Sequence, residues 1–267
     1  MLRLCRDREF DLDNALSGLS IVRNLTMFAV SQPELLKHPS IIDDLLKMTE
    51  VERFSTKSTM AVANLVGKDE VRSELLREAS SNALNNIVDI LANCLEEDPS
   101  FRDGFALYEP LLSLRYLSIP KKNRDILGPS LVPLLPKVLK EAVQTQDVVS
   151  CGHVTAILSQ FAFDKHTLVT IQAMEDVQKN LELIVSLSES SPSWRQAGHE
   201  AQGLLWTLSG AGDKDKTDFA VKTDQIMISY NWSHKHIAVK VHNFLVQSGF
   251  KVWRDDDQVS ANLMESM

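Results

Sequence analysis

Five short segments of this chain can be laid over one another, and that recurrence limits its folds more than any other feature. The segments are Ile21-Val-Arg-Asn-Leu25-Thr, Ala61-Val-Ala-Asn-Leu65-Val, Leu114-Arg-Tyr-Leu117-Ser, Leu158-Ser-Gln-Phe161-Ala and Leu204-Leu-Trp-Thr-Leu208-Ser. Their anchors Leu25, Leu65, Leu117, Phe161 and Leu208 stand 40, 52, 44 and 47 residues apart, the longest interval implying a short insertion. A unit of this length cannot bury its apolar face alone, so successive units must stack and share one core.

The units read as helices. Leu84, Ile87, Val88, Leu91 and Leu95 follow helical spacing, as do Val177, Leu181, Ile184 and Val185. Pro33, Pro39, Pro99, Pro120, Pro129 and Pro192 punctuate the pattern from Asp11 to about Gly210, while Pro133 suits a first helical turn and Pro136 kinks or restarts a helix. Ser193-x-x-Gln196 has the form of a capping box, and Trp194 and Trp206 are expected in the core of the last unit. Polar turns follow the first two anchors, at Ser31-Gln-Pro-Glu-Leu35 and Gly67-Lys-Asp-Glu-Val71. The period and this order resemble armadillo and HEAT repeats, whose units run to ~40–47 residues. An irregular all-helical domain is the alternative.

The chain changes character after Gly210-Ala-Gly212. Asp213-Lys-Asp-Lys-Thr-Asp218 is small and charged, so 211–222 reads as an exposed linker between helical repeats at 11–210 and a module at 223–267. The module opens with Ile226-Met-Ile-Ser-Tyr230, which suits a short buried strand. Ile237, Val241, Phe244 and Leu245 form a helical stripe, Gly249 ends the helix, and Phe250 to Trp253 returns to strand chemistry before three aspartates. This is a β-α-β unit.

Met227-Ile-Ser-Tyr230 and Gly249-Phe-Lys-Val-Trp253-x-Asp255, at this spacing, resemble the start of a TIR (Toll/interleukin-1 receptor homology) domain, with Leu263 to Met267 resembling the start of its second helix. The resemblance covers about forty residues, short of the ~100 a domain needs, so the TIR domain is expected to be partial here. The fold class expected is therefore mostly α: an armadillo/HEAT-like α-solenoid, then the N-terminal β-α-β part of a flavodoxin-like TIR domain.

The resemblance also implies roles. Ser229, Tyr230, Asn231 and Trp232 match the family's position near the nucleotide, without the arginine pair of some NAD-cleaving members. Asp255, Asp256, Asp257, Val259 and Ala261 fall in the loop that mediates contacts between TIR domains, and three adjacent carboxylates otherwise read as a solvated turn. Many relatives carry glycine where Ala261 stands, and alanine tolerates positive φ poorly, which implies an altered loop. NAD-cleaving members use a glutamate on a later helix, beyond Met267; Glu265 is too early to serve. No catalytic residue is expected within the chain, and residues 1–267 are expected not to turn over NAD. Two functions stay open: signalling through association of TIR domains and through a protein partner of the repeats, or NAD hydrolysis restrained by the repeats. A repeat scaffold with an accidental tail is a third.

Composition narrows the classes. The net charge is -8, with 44% hydrophobic and 24% charged residues, and no basic run of five or more, which argues against nucleic acid as partner. Cys5, Cys94 and Cys151 form no Cys-x-x-Cys pair, so neither a disulfide framework nor zinc is expected and a reducing cytoplasm fits. No apolar run reaches ~18 residues, so no membrane insertion is expected. His234, His236 and His242 read as a solvated helix face, not a metal site. No cofactor is expected, with NAD entering only as the substrate of a complete TIR domain.

Overall fold

The computed structural model describes residues 12–67, 69, 72–96, 105–210, 225–228, 235–247 and 251–254. The chain divides between Ser209 and Gly210 into two compact units.

The first unit is helical throughout its described residues. Its helices are α1 (Leu12–Met27), α2 (Gln32–Leu36), α3 (Ile41–Thr49), α4 (Glu52–Val66), α5 (Ser81–Asn93), α6 (Tyr108–Leu117), α7 (Lys121–Leu131), α8 (Leu135–Gln144), α9 (Val148–Ala162), α10 (Lys165–Gln172), α11 (Glu175–Ser190) and α12 (Arg195–Leu208), with short 3-10 turns at Arg72–Glu78 and Pro192–Trp194. Local chemistry sets several starts. Ser80 accepts from the Ala83 amide at the head of α5, Asp147 from Ser150 at α9, and Asp164 from His166 and Thr167 at α10. Pro136 restarts the chain as α8, in whose first turn it sits.

Packing follows a two-layer plan. In one layer α1 lies on α4, α4 on α6, α6 on α9 and α9 on α12; in the other, α3 backs α4, α8 backs α9 and α11 backs α12. The five recurring segments end these five successive helices, so the repeat seen in the sequence is the repeat of the stack. The shared core runs from Leu19 to Leu208. The stripes Leu84, Ile87, Val88, Leu91 and Val177, Leu181, Ile184 are buried in it as the spacing requires, with Leu95 and Val185 partly buried against it. In α4 every residue from Ser58 to Val66 is buried, because helices pack on several of its sides.

Four sequence expectations are corrected. Leu25 is 39% exposed, unlike the other four anchors: α1 packs chiefly on α4, and Ile21, one turn before Leu25, is exposed as well. Trp206 is also exposed at 54%, while Trp194 is buried as expected. The Ser193 capping box does not form: Ser193 lies in the 3-10 turn, its hydroxyl 2.9 Å from that of Ser191, and α12 has no side-chain cap. Pro129 stands inside α7, near its end, and not between helices.

The second unit contains β1 (Gln225–Ile228), α13 (Lys235–Gln247) and β2 (Lys251–Arg254). The strands pair in parallel, with Ile226 opposite Val252 and Ile228 opposite Arg254. Parallel neighbours need a crossover, and α13 supplies it. The expected stripe is not the buried one. Ala238 is buried and Leu245 half-buried, whereas Ile237, Val241 and Phe244 are exposed and Ile226, Ile228 and Val252 only half-buried. The reason is width: two strand axes ~4.8 Å apart cannot cover the apolar arc of a helix ~10 Å across.

Candidate functional site: a polar line across the repeats

The residues that the TIR resemblance singles out, Ser229, Tyr230, Asn231, Trp232, Asp255, Asp256, Asp257, Val259 and Ala261, lie outside the described residues, as do the linker 211–222 and His234. Within the helical unit, the structure assembles a different set of polar side chains, on the layer formed by α1, α4, α6, α9 and α12.

Its first cluster centres on Arg23 of α1. The guanidinium donates through Nη1 and Nη2 to Glu109 Oε2 of α6 at 3.1 and 3.2 Å, donates to Asn24 Oδ1, and sits 4.6 Å from the centroid of the Phe105 ring. Both partners are largely withdrawn from water, with side chains 6% and 12% exposed. The Arg23 Nε has no acceptor among the described residues. Nearby, Lys57 of α4 donates to Ser20 Oγ at 2.7 Å. Burial, and then repulsion from Arg23, hold its ammonium below the usual lysine range.

Asn64 forms the second cluster. Its amide donates to Thr26 Oγ1 on α1 and its Oδ1 accepts from Ser113 on α6, while Gln32 Nε2 donates to its backbone carbonyl. One buried residue, through its side-chain amide and its backbone carbonyl, thus ties three elements to α4. In the third cluster Arg115 of α6 donates to Glu200 Oε1 of α12 at 3.2 Å and lies 3.5 Å from His153 Nδ1 of α9.

These contacts carry geometry. Arg23 and Glu109 belong to α1 and α6, which are separated in the layer by α4; Arg115 and Glu200 belong to α6 and α12, separated by α9. Each pair therefore bridges across an intervening helix. This face of the layer is partly filled by its own ion pairs.

Chemically the line offers cations, carboxylates and one imidazole. Cys151, on α9 of the same layer, is sealed: it is 0% exposed, and burial, then the Asp147 carboxylate, push its pKa up to about 12. The unfolded chain would release that proton near pH ~8.5, so Cys151 makes stability fall as pH rises above that value. Iodoacetamide at mildly alkaline pH is expected to leave Cys151 unmodified in the folded chain and to alkylate it in urea, read by peptide mass spectrometry; equal labelling in both would show an open site. Among the described residues, no group of three His, Cys, Asp or Glu gathers to hold a metal, and no helix is long and apolar enough to cross a membrane.

Sequence reasoning passed over these residues although it had them in view. Arg23, Asn64 and Arg115 stand inside the recurring segments, beside the apolar anchors, but the anchors, and not these polar residues, repeat in kind from one segment to the next. No family model matches the chain, and neither the curated proteins nor the solved structures give a match.

Proposed function

We propose that the chain is a cytoplasmic signalling protein of the armadillo–TIR kind, in which stacked helical repeats carry a TIR-like module that associates with further copies of itself. The observation that carries the reading is the pair of parallel strands joined by one helix, at the residues whose spacing resembles the TIR start. The exposure of Ile237, Val241 and Phe244 supports it, since apolar side chains left at the surface favour association. The helical repeats, with their polar line, are the part that takes a separate protein partner.

Sedimentation velocity on the full chain, over rising concentration, tests this. Reversible self-association is expected, and Phe244→Glu should weaken it by about tenfold or more, the size of effect given by a central apolar anchor. A chain that stays monomeric throughout, or a Phe244→Glu variant that assembles as well as the parent, would exclude the reading.

A further inference from the structure

None of the residues of the polar line enters a second feature of the helical unit. Between the 3-10 turn Arg72–Glu78 and the start of α7 lies a cavity of about 420 Å³ whose charged lining is Arg77, Lys121, Lys122 and Arg124 against a single carboxylate, Glu74. Two of the four cations are paired with carboxylates, Arg77 with Glu74 and Lys121 with Asp125, which leaves Lys122 and Arg124 as the excess positive charge, in a chain whose net charge is -8. Like charges gathered in a concavity repel one another, and the cost is relieved by an anion held among them.

The cations are held in place to different degrees. Arg124 Nη1 donates to the Ser118 and Ile119 carbonyls, which fixes its guanidinium at the cavity wall. Arg77 pairs with Glu74, and Lys121 with Asp125 at 2.8 Å, so Glu74 is already committed and Asp125 stands outside the lining. Lys122 is exposed and makes no ion pair among the described residues. The local sequence adds to the imbalance. Pro120 caps α7 without a side-chain acceptor and the first turn contains no acidic residue, so two lysines stand where carboxylates are normally preferred.

We propose that this cavity is a binding site for a small polyvalent anion of the phosphate class. Its volume falls in the range of small-ligand sites, and it combines guanidinium forks with ammonium point charges, the two groups that bind phosphate oxygens best. The phosphate comes from a free molecule or from a lipid headgroup, and the two sources are separable.

The test uses the full chain at fixed ionic strength. Calorimetric titration with inorganic pyrophosphate reports the free source; co-sedimentation with phosphatidylcholine vesicles, with and without phosphatidylinositol bisphosphate, reports the headgroup source. Binding in either arm is expected, and Lys122→Glu should weaken it at least tenfold. Lys140→Glu, an equal charge change at an exposed position of α8 outside the lining, should leave it unchanged. Thermal melts followed by circular dichroism check that both variants fold. Failure to bind in both arms, or equal weakening by both substitutions, would overturn the proposal.

Discussion

Glu109→Ala is expected to destabilise the helical unit by about 3–5 kcal/mol. The substitution leaves the Arg23 guanidinium in place, 5% exposed, with its main acceptor gone and its Nε already without one. Asn24 and the face of Phe105 remain, but neither carries a compensating charge. Because both side chains are largely buried, solvent screening does not reduce the effect as it does at a surface pair. The loss should come from the unpaired cation and not from the missing methylenes. Replacing both partners by apolar groups of similar volume, Arg23→Met with Glu109→Leu, is therefore expected to recover most of it. Urea denaturation of the parent, the two single variants and the double variant gives the coupling directly. A Glu109→Ala cost within about 1 kcal/mol would place the pair among ordinary surface ion pairs.

That pair also shows where a sequence stops being legible. The stacking of the helices could be read from apolar spacing, since the period of a buried stripe is local and repeats. Leu65, Leu117, Phe161 and Leu208 are buried where the alignment put them. The partners Arg23 and Glu109 are 86 residues apart and Arg115 and Glu200 85 apart, and nothing local couples them. They meet because the stack brings alternate helices within reach of one another at this face, a property of the stack and not of any segment. Leu25 lies on the first helix of the layer, at a position that is buried on the four helices after it, whereas Trp206 aligns with Arg115 and Ser159, which are only partly buried, so its exposure follows the repeat position. The capping box at Ser193 failed because Pro192 and Trp194 draw the chain into a 3-10 turn, which removes the N-cap geometry. In the second unit, the apolar arc of α13 was legible but its partner surface was not, since pattern alone does not tell how many strands cover it. The cationic cavity at α7 is made of residues from Arg77 and from Lys121 to Arg124, and the sequence gives no hint that the two stretches adjoin.

Leu65→Ala, compared with Leu25→Ala, separates the role of a motif from the role of its place in the stack. Both leucines occupy the same position in matching segments, Arg-Asn-Leu and Ala-Asn-Leu, and each follows an asparagine. Leu65 is 6% exposed on α4, which packs against α1, α3, α5 and α6 at once, whereas Leu25 is 39% exposed on α1. Truncating Leu65 removes three carbons from a site fenced by several helices, where collapse into the gap is resisted, so a loss of about 2–5 kcal/mol is expected. Truncating Leu25 removes the same atoms from a surface that water already reaches, and should cost less than about 1 kcal/mol. Denaturant midpoints at constant slope measure both. The difference between the two values, more than either alone, decides the matter: equal losses would mean that α1 is covered on its outer face in solution, by a further element or another molecule. If instead Leu65→Ala leaves the midpoint unchanged, α4 does not occupy the centre of the stack and the repeat register is wrong.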